Sequence, residues 1–417
     1  MIEKATLSGV VFAAMVACAT QSAPAWAQTL AIRGETVHTM AGQSLTDGVV
    51  LIDGATIQRV GPASQVPIPH GVRVLTAKVV TPGLIDAHCV VGLTGYLNQA
   101  QDQDQLDAND PIQPELRAID AYNPRERLVE WVRGFGITTI HTGHAPGGLI
   151  SGQTMIAKTA GNTVEEAVIV PSAMVAARLG TDGERFGRDS AEFKSPGTRS
   201  KAVAMLRGAL AQARDYARKQ EHEDKDKRPP RDLKMETLAR ILKGELPLLI
   251  TANRSADLMS ALRVAKEFDI RVVLDGATEA YLITEEIKSA AVPVLIHPTM
   301  RRSGRGEGEN ASFESAAHLR QAGVRVAMQS GFESYVPKTR VVLFEAAVAA
   351  ANGLTFQEAM AAITIDAAKI LGIDVRVGSL EVGKDADLAL FDGDPFEYAT
   401  HCIGVVINGE VVSDVTR

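Results

Sequence analysis

Short apolar runs separated by turn residues mark both ends of the chain. These runs are residues 30–32, 48–52 and 56–60 near the beginning, and 387–391 and 404–407 near the end. Asp53-Gly54 and Asn408-Gly409 follow or join these runs, and both dipeptides are typical of the tight turns of β-hairpins. We therefore predict that the two ends of the chain form one composite β-sandwich.

The middle of the chain alternates apolar β runs with segments of helical period. The predicted strands are residues 136–140, 167–170, 246–252, 271–274, 293–296 and 324–328, and the predicted helices include 256–268 and 313–322. This alternation favours an α/β fold, a (β/α)8 TIM-like barrel. The predicted domains are a sandwich part at 28–80, a barrel at 81–370 and a second sandwich part at 371–417. The charged run 214–236 predicts an exposed helix end and a solvated loop.

The first 27 residues are typical of a secretory signal peptide. One lysine, Lys4, precedes an apolar run at 7–19 that is too short to span a bilayer, and Ala25-Trp26-Ala27 forms an A-x-A cleavage site. We expect cleavage after Ala27 and a periplasmic or secreted protein. The alternative is lipoprotein processing at Cys18, which Met15 disfavours because methionine is a poor first residue for that motif.

The composition of the chain indicates which classes of binding partner to expect. The 417 residues carry a net charge of −7, which gives no reason to expect nucleic acid or an anionic membrane as a partner. Hydrophobic residues make up 46% of the chain, enough for a substantial core, and no run after the signal predicts a membrane span. Three cysteines are too few for a disulfide scaffold.

One polar group interrupts a buried apolar stretch where a barrel strand is predicted to end. The sequence Pro82-Gly83-Leu84-Ile85-Asp86-Ala87-His88 places Asp86, His88 and Val90 on one face by strand alternation. In a parallel barrel such residues face the mouth at the carboxyl ends of the strands, where active sites lie. Asp86 and His88 are therefore candidate site residues.

This phrase resembles the first-strand signature of the amidohydrolase superfamily, which continues as His-x-His. Residues 378–388, followed by Gly393-Asp394-Pro395, resemble the closing segment of the same superfamily, in its imidazolonepropionase-like branch. The resemblance covers nearly all of the chain after residue 27. It implies a barrel with a sandwich, and metal-assisted hydrolysis of non-peptide or dipeptide C–N bonds.

The resemblance also implies a set of metal ligands that this sequence departs from. The family uses two first-strand histidines, a fourth-strand lysine or glutamate, one histidine each on strands five and six, and an eighth-strand aspartate. The residues standing at those positions are His88 and Val90 on the first strand, Ala176 and Thr181 in the fourth-strand stretch, and then Asn253, Gly276 and Gly331. His88 is the one standard ligand retained, so the standard metal site is predicted to be dismantled.

Other residues could compensate. His141, His144 and His297 follow predicted strands and would share the rim with His88, and histidine is the usual transition-metal ligand. Asp275 or Glu279 could add a carboxylate, with Asp86 and Asn253 on the same rim. In the other interpretation, these side chains hydrogen-bond loop backbones or bind a ligand without metal.

The sequence therefore predicts an exported amidohydrolase-like protein that is non-catalytic, acting as a ligand-binding or partner subunit. It would hold no cofactor or a weakly held divalent metal. The alternative is an active amidohydrolase with a rewired zinc site on the His88, His141, His144 and His297 rim. Expected partners are a small-molecule ligand and either a second amidohydrolase with the full ligand set or further copies of this chain.

Overall fold

The computed structural model describes residues 30–96, 99–180, 196–296, 306–331 and 341–417. The predicted signal peptide, Cys18, Thr181 and His297 lie outside the described residues. Among the residues described, no helix combines the length and the apolar character needed to cross a membrane.

The strands of the described residues, in chain order, are β1 (Leu30–Val37), β2 (Leu45–Asp53), β3 (Thr56–Pro62), β4 (Arg73–Pro82), β5 (Leu84–Cys89), β6 (Ile137–Thr142), β7 (Ile150–Gln153), β8 (Met155–Lys158), β9 (Val168–Val170), β10 (Val175–Arg178), β11 (Leu248–Ala252), β12 (Val272–Gly276), β13 (Val294–Ile296), β14 (Val326–Met328), β15 (Leu388–Phe391), β16 (Cys402–Ile407) and β17 (Glu410–Ser413). The α-helices are α1 (Arg127–Arg133), α2 (Val164–Ala167), α3 (Arg199–Gln220), α4 (Leu233–Leu242), α5 (Ser255–Phe268), α6 (Thr284–Ser289), α7 (Ser315–Gln321), α8 (Val342–Ala351), α9 (Phe356–Ala362) and α10 (Ile365–Leu371).

Strands from both ends of the chain, which the sequence predicts to form one composite β-sandwich, hydrogen-bond into one sheet. Its order is β17-β16-β15-β4-β1-β2-β3. Strand β4 joins the two ends because it pairs parallel to β1 and antiparallel to β15, with Val80 opposite Leu390. Apolar side chains from both ends, such as Ile32 and Leu388, share one buried cluster. The composite β unit is therefore a single continuous sheet.

The α/β part has two sheets that meet at both edges. Their orders are β5-β6-β8-β9 and β14-β13-β12-β11-β10-β7. At one edge Gly331 N donates to His88 O at 3.0 Å, and at the other Thr154 N donates to Met174 O at 2.9 Å. Side chains from six strands pack in one buried cluster inside this ring: Ile85, Ile156, Leu249, Val273, Leu295 and Ala327. These contacts match the predicted barrel.

The local pattern predicted most of these elements and missed a few. The six predicted barrel strands correspond to β6, β9 and β11 to β14, and the two predicted helices to α5 and α7. Strands β7, β8 and β10 were not predicted, because each is only four residues long and its burial comes from neighbouring strands. The charged run 214–236 contains the exposed end of α3, a solvated loop and the start of α4.

A buried ion pair fastens the barrel to the composite sheet. Lys158 Nζ, at the end of β8, contacts the carboxylate of Asp387, and both side chains are 3% exposed. Lys158 Nζ also lies 3.0 Å from Asp385 Oδ2, which accepts from Arg376 at 2.8 Å. Burial raises the pKa of Asp387, and the charge of Lys158 opposes that shift. Both aspartates of the closing segment therefore contact one buried cation of the barrel.

Replacing Lys158 should destabilise the protein strongly. In Lys158→Met the carboxylate of Asp387 stays buried without its cation, and breaking a buried ion pair costs about 3–5 kcal/mol. We expect a loss of that size in the free energy of unfolding, measured by urea denaturation. Lys288→Met is the matched control, because Lys288 is exposed on α6, and it should change stability by less than about 0.5 kcal/mol. Equal stability of the two variants would contradict the role of Lys158.

Candidate functional site

The candidate site lies where β5, β11, β12 and β14 end at the mouth of the barrel. Strand β5 carries Asp86 and His88, which are 2% and 3% exposed, and β12 carries Asp275, which is 2% exposed. Buried polar groups need hydrogen-bond partners, so their contacts define what this end of the barrel can do.

Asp275 is the centre of a hydrogen-bond network that links four strand ends. Its Oδ1 accepts from His88 Nδ1 at 3.0 Å and from Gln329 Nε2 at 2.6 Å. Its Oδ2 accepts from Thr251 Oγ1 at 2.5 Å. Gln329 also donates to Leu295 O at 3.0 Å. The network therefore includes β13, which lies between β12 and β14. Asp275 and His88, two predicted site residues 187 positions apart, are thus in direct contact.

Asp86 belongs to a second, adjoining set of contacts. Its Oδ2 accepts from Ser330 Oγ at 2.5 Å, and its Oδ1 accepts from Ser330 N at 3.0 Å. The backbone N of His88 also donates to Asp86 Oδ1, at 3.3 Å. Asp86 therefore fastens the end of β5 to the residues that follow β14.

Burial and the neighbouring polar or charged groups shift the pKa values of Asp86 and His88 in opposite directions. Burial raises the pKa of Asp86 to about 6, although the hydrogen bonds from Ser330 favour its charged form. Burial also lowers the pKa of His88, but the charges of Asp275 and Asp86 outweigh this effect, so the net shift of His88 is upward. His88 presents Nδ1–H to Asp275, while its Nε2 has no hydrogen-bond partner among the described residues.

His141 uses both ring nitrogens in hydrogen bonds. Nδ1 donates to Ala87 O at 2.6 Å, because a carbonyl can only accept. Nε2 of the neutral ring then accepts from the hydroxyl of Thr154 at 2.6 Å. Burial lowers the pKa of His141 to about 3, which agrees with a neutral ring. In this arrangement neither nitrogen of His141 is available to a metal, although its ring lies 5.5 Å from that of His88.

His144 is buried in a different way. It is 6% exposed, and neither ring nitrogen has a hydrogen-bond partner within the described part of the chain. Burial lowers its pKa to about 4, so the ring is neutral at pH 7. The ring packs against Gly152, where a Cβ atom would lie 2.5 Å from His144 Nε2. The described residues do not bring His144 into the His88–Asp275 network.

The remaining predicted rim residues have separate contacts. Asn253 Oδ1 accepts from Thr278 Oγ1 at 2.9 Å. Glu279 Oε2 accepts from Ser255 N at 2.7 Å, which satisfies a free amide at the start of α5, so Glu279 acts as a helix-capping group. Gly276 has a φ of +75°, and a Cβ there would lie 2.8 Å from Asn253 Oδ1. A histidine at Gly276 would therefore need a different local backbone.

The metal that the fold family implies does not fit the described residues. In ranges 30–96, 99–180, 196–296, 306–331 and 341–417, no group of three or more His, Cys, Asp or Glu side chains is placed to hold a metal ion. His88 and Asp275 are in contact, but two protein ligands hold a metal weakly. Val90 and Gly331 bring no donor side chain, and His297 lies outside the described residues.

Sequence reasoning missed three residues of the site: Thr251, Gln329 and Ser330. Gln329 and Ser330 directly precede Gly331, the position at which the family resemblance implies an aspartate. The usable signal was two polar side chains directly after a buried apolar run, which predicts a strand end facing other strand ends. Nothing in the sequence indicated which carboxylate each would contact.

Removing the charge of Asp275 should weaken the barrel. In Asp275→Asn the contacts with His88, Gln329 and Thr251 no longer involve a charged acceptor, and hydrogen bonds to charged groups are worth about 1.5–3 kcal/mol each against about 0.5–1.5 kcal/mol for neutral ones. We expect a fall of about 2–3 kcal/mol in the free energy of unfolding, measured by urea denaturation.

Asp269→Asn is the matched control for this substitution. Asp269 is exposed at the end of α5 with a φ of +54°, a conformation that asparagine tolerates well. Its stability should stay within about 0.5 kcal/mol of the parent protein. If Asp275→Asn were equally neutral, the network would not be the support that its geometry indicates.

Comparison with known proteins agrees with the fold. A crystal structure of an amidohydrolase from Thermotoga maritima superposes with a TM-score of 0.84 at 26% identity, covering 93% of this chain and 100% of that one. An adenosine deaminase from Xanthomonas campestris with bound zinc superposes with a TM-score of 0.54 at 15% identity, covering 92% of each chain, which speaks to the fold alone.

Sequence relatives lead to the same family. The amidohydrolase tasK of Hapsidospora irregularis is 24% identical over 404 residues, which are 88% of this chain but 40% of that protein. A 5-methylthioadenosine/S-adenosylhomocysteine deaminase of Symbiobacterium thermophilum is 25% identical over 399 residues, 88% of this chain and 86% of that protein. An imidazolonepropionase of a Shewanella species is 40% identical over 101 residues, 22% of this chain and 25% of that protein. The pattern of the amidohydrolase family matches residues 93–413, so this chain belongs to the amidohydrolase family.

Proposed function

We propose that this amidohydrolase-family protein binds a small polar ligand at the barrel mouth and lacks the family's standard metal centre. The observation that carries the proposal is the hydrogen bonding of Asp275. Its two oxygens accept from His88, Gln329 and Thr251. His88, the one standard ligand retained, donates its Nδ1–H to Asp275, and Asp275 also accepts from Gln329 and Thr251.

This network would have to be broken before the same groups could surround a metal. A buried carboxylate that loses a hydrogen-bond donor loses about 1.5–3 kcal/mol for each bond to the charged group. A metal must replace those bonds with a full set of ligands, and the positions expected to supply them carry Val90, Gly276 and Gly331. The side chains of the described residues therefore favour hydrogen bonding to one another over binding a metal.

Several buried polar atoms could instead contact a ligand. They are His88 Nε2, both ring nitrogens of His144 and Thr94 Oγ1, none of which has a partner in the described ranges. Ligand sites typically combine an enclosed, mostly apolar recess with a few polar groups of this kind. A neutral His144 can both donate and accept a hydrogen bond, so it suits an uncharged polar group.

An active amidohydrolase with a rewired metal on the His88, His141, His144 and His297 rim is the second candidate. For this site to form, His141 would have to give up its bonds to Ala87 and Thr154. Export, with cleavage after Ala27, and assembly with a second amidohydrolase or with further copies of this chain stay predictions from the sequence.

Metal content tests the proposal directly. We expect zinc well below one atom per chain after dialysis of the purified protein against a weak chelator, measured by mass spectrometry of the elements. The reason is that sites with too few protein ligands hold zinc weakly, whereas structural zinc sites bind with about 10 kcal/mol or more.

The variant His88→Ala should leave the residual zinc unchanged, as should His70→Ala, a control at an exposed histidine. About one tightly held metal per chain that is lost in His88→Ala and kept in His70→Ala would overturn the proposal and establish the rewired site. The same low zinc content in the parent protein and in both variants would agree with the proposal.

A further inference from the structure

An open groove lies between α5 and α6, two helices of the outer ring of the barrel. Apolar side chains from both sides line it: Met259, Leu262, Ile270 and Val292. Met259 and Val292 are only partly buried. Leu282, which precedes α6 in the chain, is 55% exposed. Apolar surface that is rimmed by charged groups is typical of protein–protein contacts, whereas isolated exposed apolar residues are ordinary.

The two sides of this groove carry opposite charge. Arg263 and Lys266 line the side formed by α5, here called the basic side. Glu285 and Glu286 line the side formed by α6, here called the acidic side. All four side chains are exposed, and within the part of the chain that the structure describes none of them forms an ion pair. Arg263 Nη2 donates to Ser260 Oγ at 2.7 Å, a neutral partner that leaves its charge uncompensated.

The charges of the two sides lie at similar heights along the groove. Strands β11 and β12 are parallel, so the helices that follow them, α5 and α6, run in the same direction around the barrel. Both charge pairs lie within the last two turns of their helices. Asp269, which follows α5 at the end of the groove, lies beyond these four charges.

A second copy of this chain can satisfy both sides of the groove at once. If a two-fold axis runs parallel to the groove, the basic side of each copy faces the acidic side of the other. The two copies then form two identical sets of charge pairs around one shared apolar strip. A two-fold axis across the groove would instead bring like charges together, so the charges also select the orientation of the partner.

We propose that α5 and α6 form the contact surface of a symmetric dimer of this chain. The four helices, two from each copy, pack side by side as in a helical bundle. This packing removes Met259, Val292 and Leu282 of both copies from water, while the charges at the rim pair across the contact. Because α5 and α6 belong to the outer ring of helices, the contact is separate from the strand ends that carry the Asp275 network.

Reversing the charge of one side of the groove tests this surface. Arg263→Glu with Lys266→Glu makes both sides acidic, and Glu285→Lys with Glu286→Lys makes both sides basic. The parent protein should sediment as a dimer in analytical ultracentrifugation. Each double variant should raise the dissociation constant of the dimer at least about tenfold, because like charges then meet across the contact.

Lys201→Glu with Lys288→Glu is the matched control. It changes the net charge by the same amount as the variant of the basic side, but these two lysines are exposed and do not line the groove. The control should therefore dimerise as the parent does. An equal loss of dimer in the control would overturn the proposal, because the effect would then come from net charge and not from this surface.

Mixing the two charge-reversed variants distinguishes a broken contact from a misfolded chain. Equal amounts of the two should form a mixed dimer with about the affinity of the parent, since both contacts again pair opposite charges. A fluorescent label on one variant identifies the mixed dimer in the ultracentrifuge. A monomeric parent, variants that dimerise alone as well as the parent, or a mixture that stays monomeric would overturn the proposal.

Discussion

The arrangement of side chains at the barrel mouth follows from one physical constraint: a buried carboxylate needs hydrogen-bond donors around it. Asp275 meets it with an imidazole, an amide and a hydroxyl that come from three other strand ends. Asp86 meets it with the hydroxyl and backbone of Ser330. Because these donors come from strand ends other than the one that carries the carboxylate, the same bonds that satisfy the charges also hold the strands together at their carboxyl ends.

This arrangement bears on what the family scaffold can do here. In a metal centre, several side chains converge on one cation and each donates a lone pair. Here the side chains at the strand ends converge on each other, and His141 is fully occupied by Ala87 and Thr154. The fold of a hydrolase family and the ligand set of a metal site are separate properties, which is why fold alone does not fix function.

The same principle of paired charges holds the two parts of the fold together. Lys158 from the barrel meets Asp385 and Asp387 from the segment that leads into β15. The two aspartates neutralise a buried lysine at the contact between barrel and sheet.

The sequence by itself determined the elements and their class. Alternating apolar runs, Asp53-Gly54 and Asn408-Gly409 predicted the strands of the composite sheet, because such patterns depend on neighbours along the chain. It also identified Asp86, His88 and Asp275 as strand-end residues of one barrel face. Short strands such as β8 and β10 were not predicted, because their burial by neighbouring strands, and not their local sequence pattern, makes them strands.

Only the tertiary structure decided which polar groups meet. His88 and Asp275 are 187 positions apart, and Asn253 and Glu307 are 54 apart. These pairs form because the order and register of the strands bring their ends together, and the sequence around each residue carries no information about that distance. The sequence therefore determined which groups could carry chemistry, whereas the packing of the barrel decided that they bond to one another.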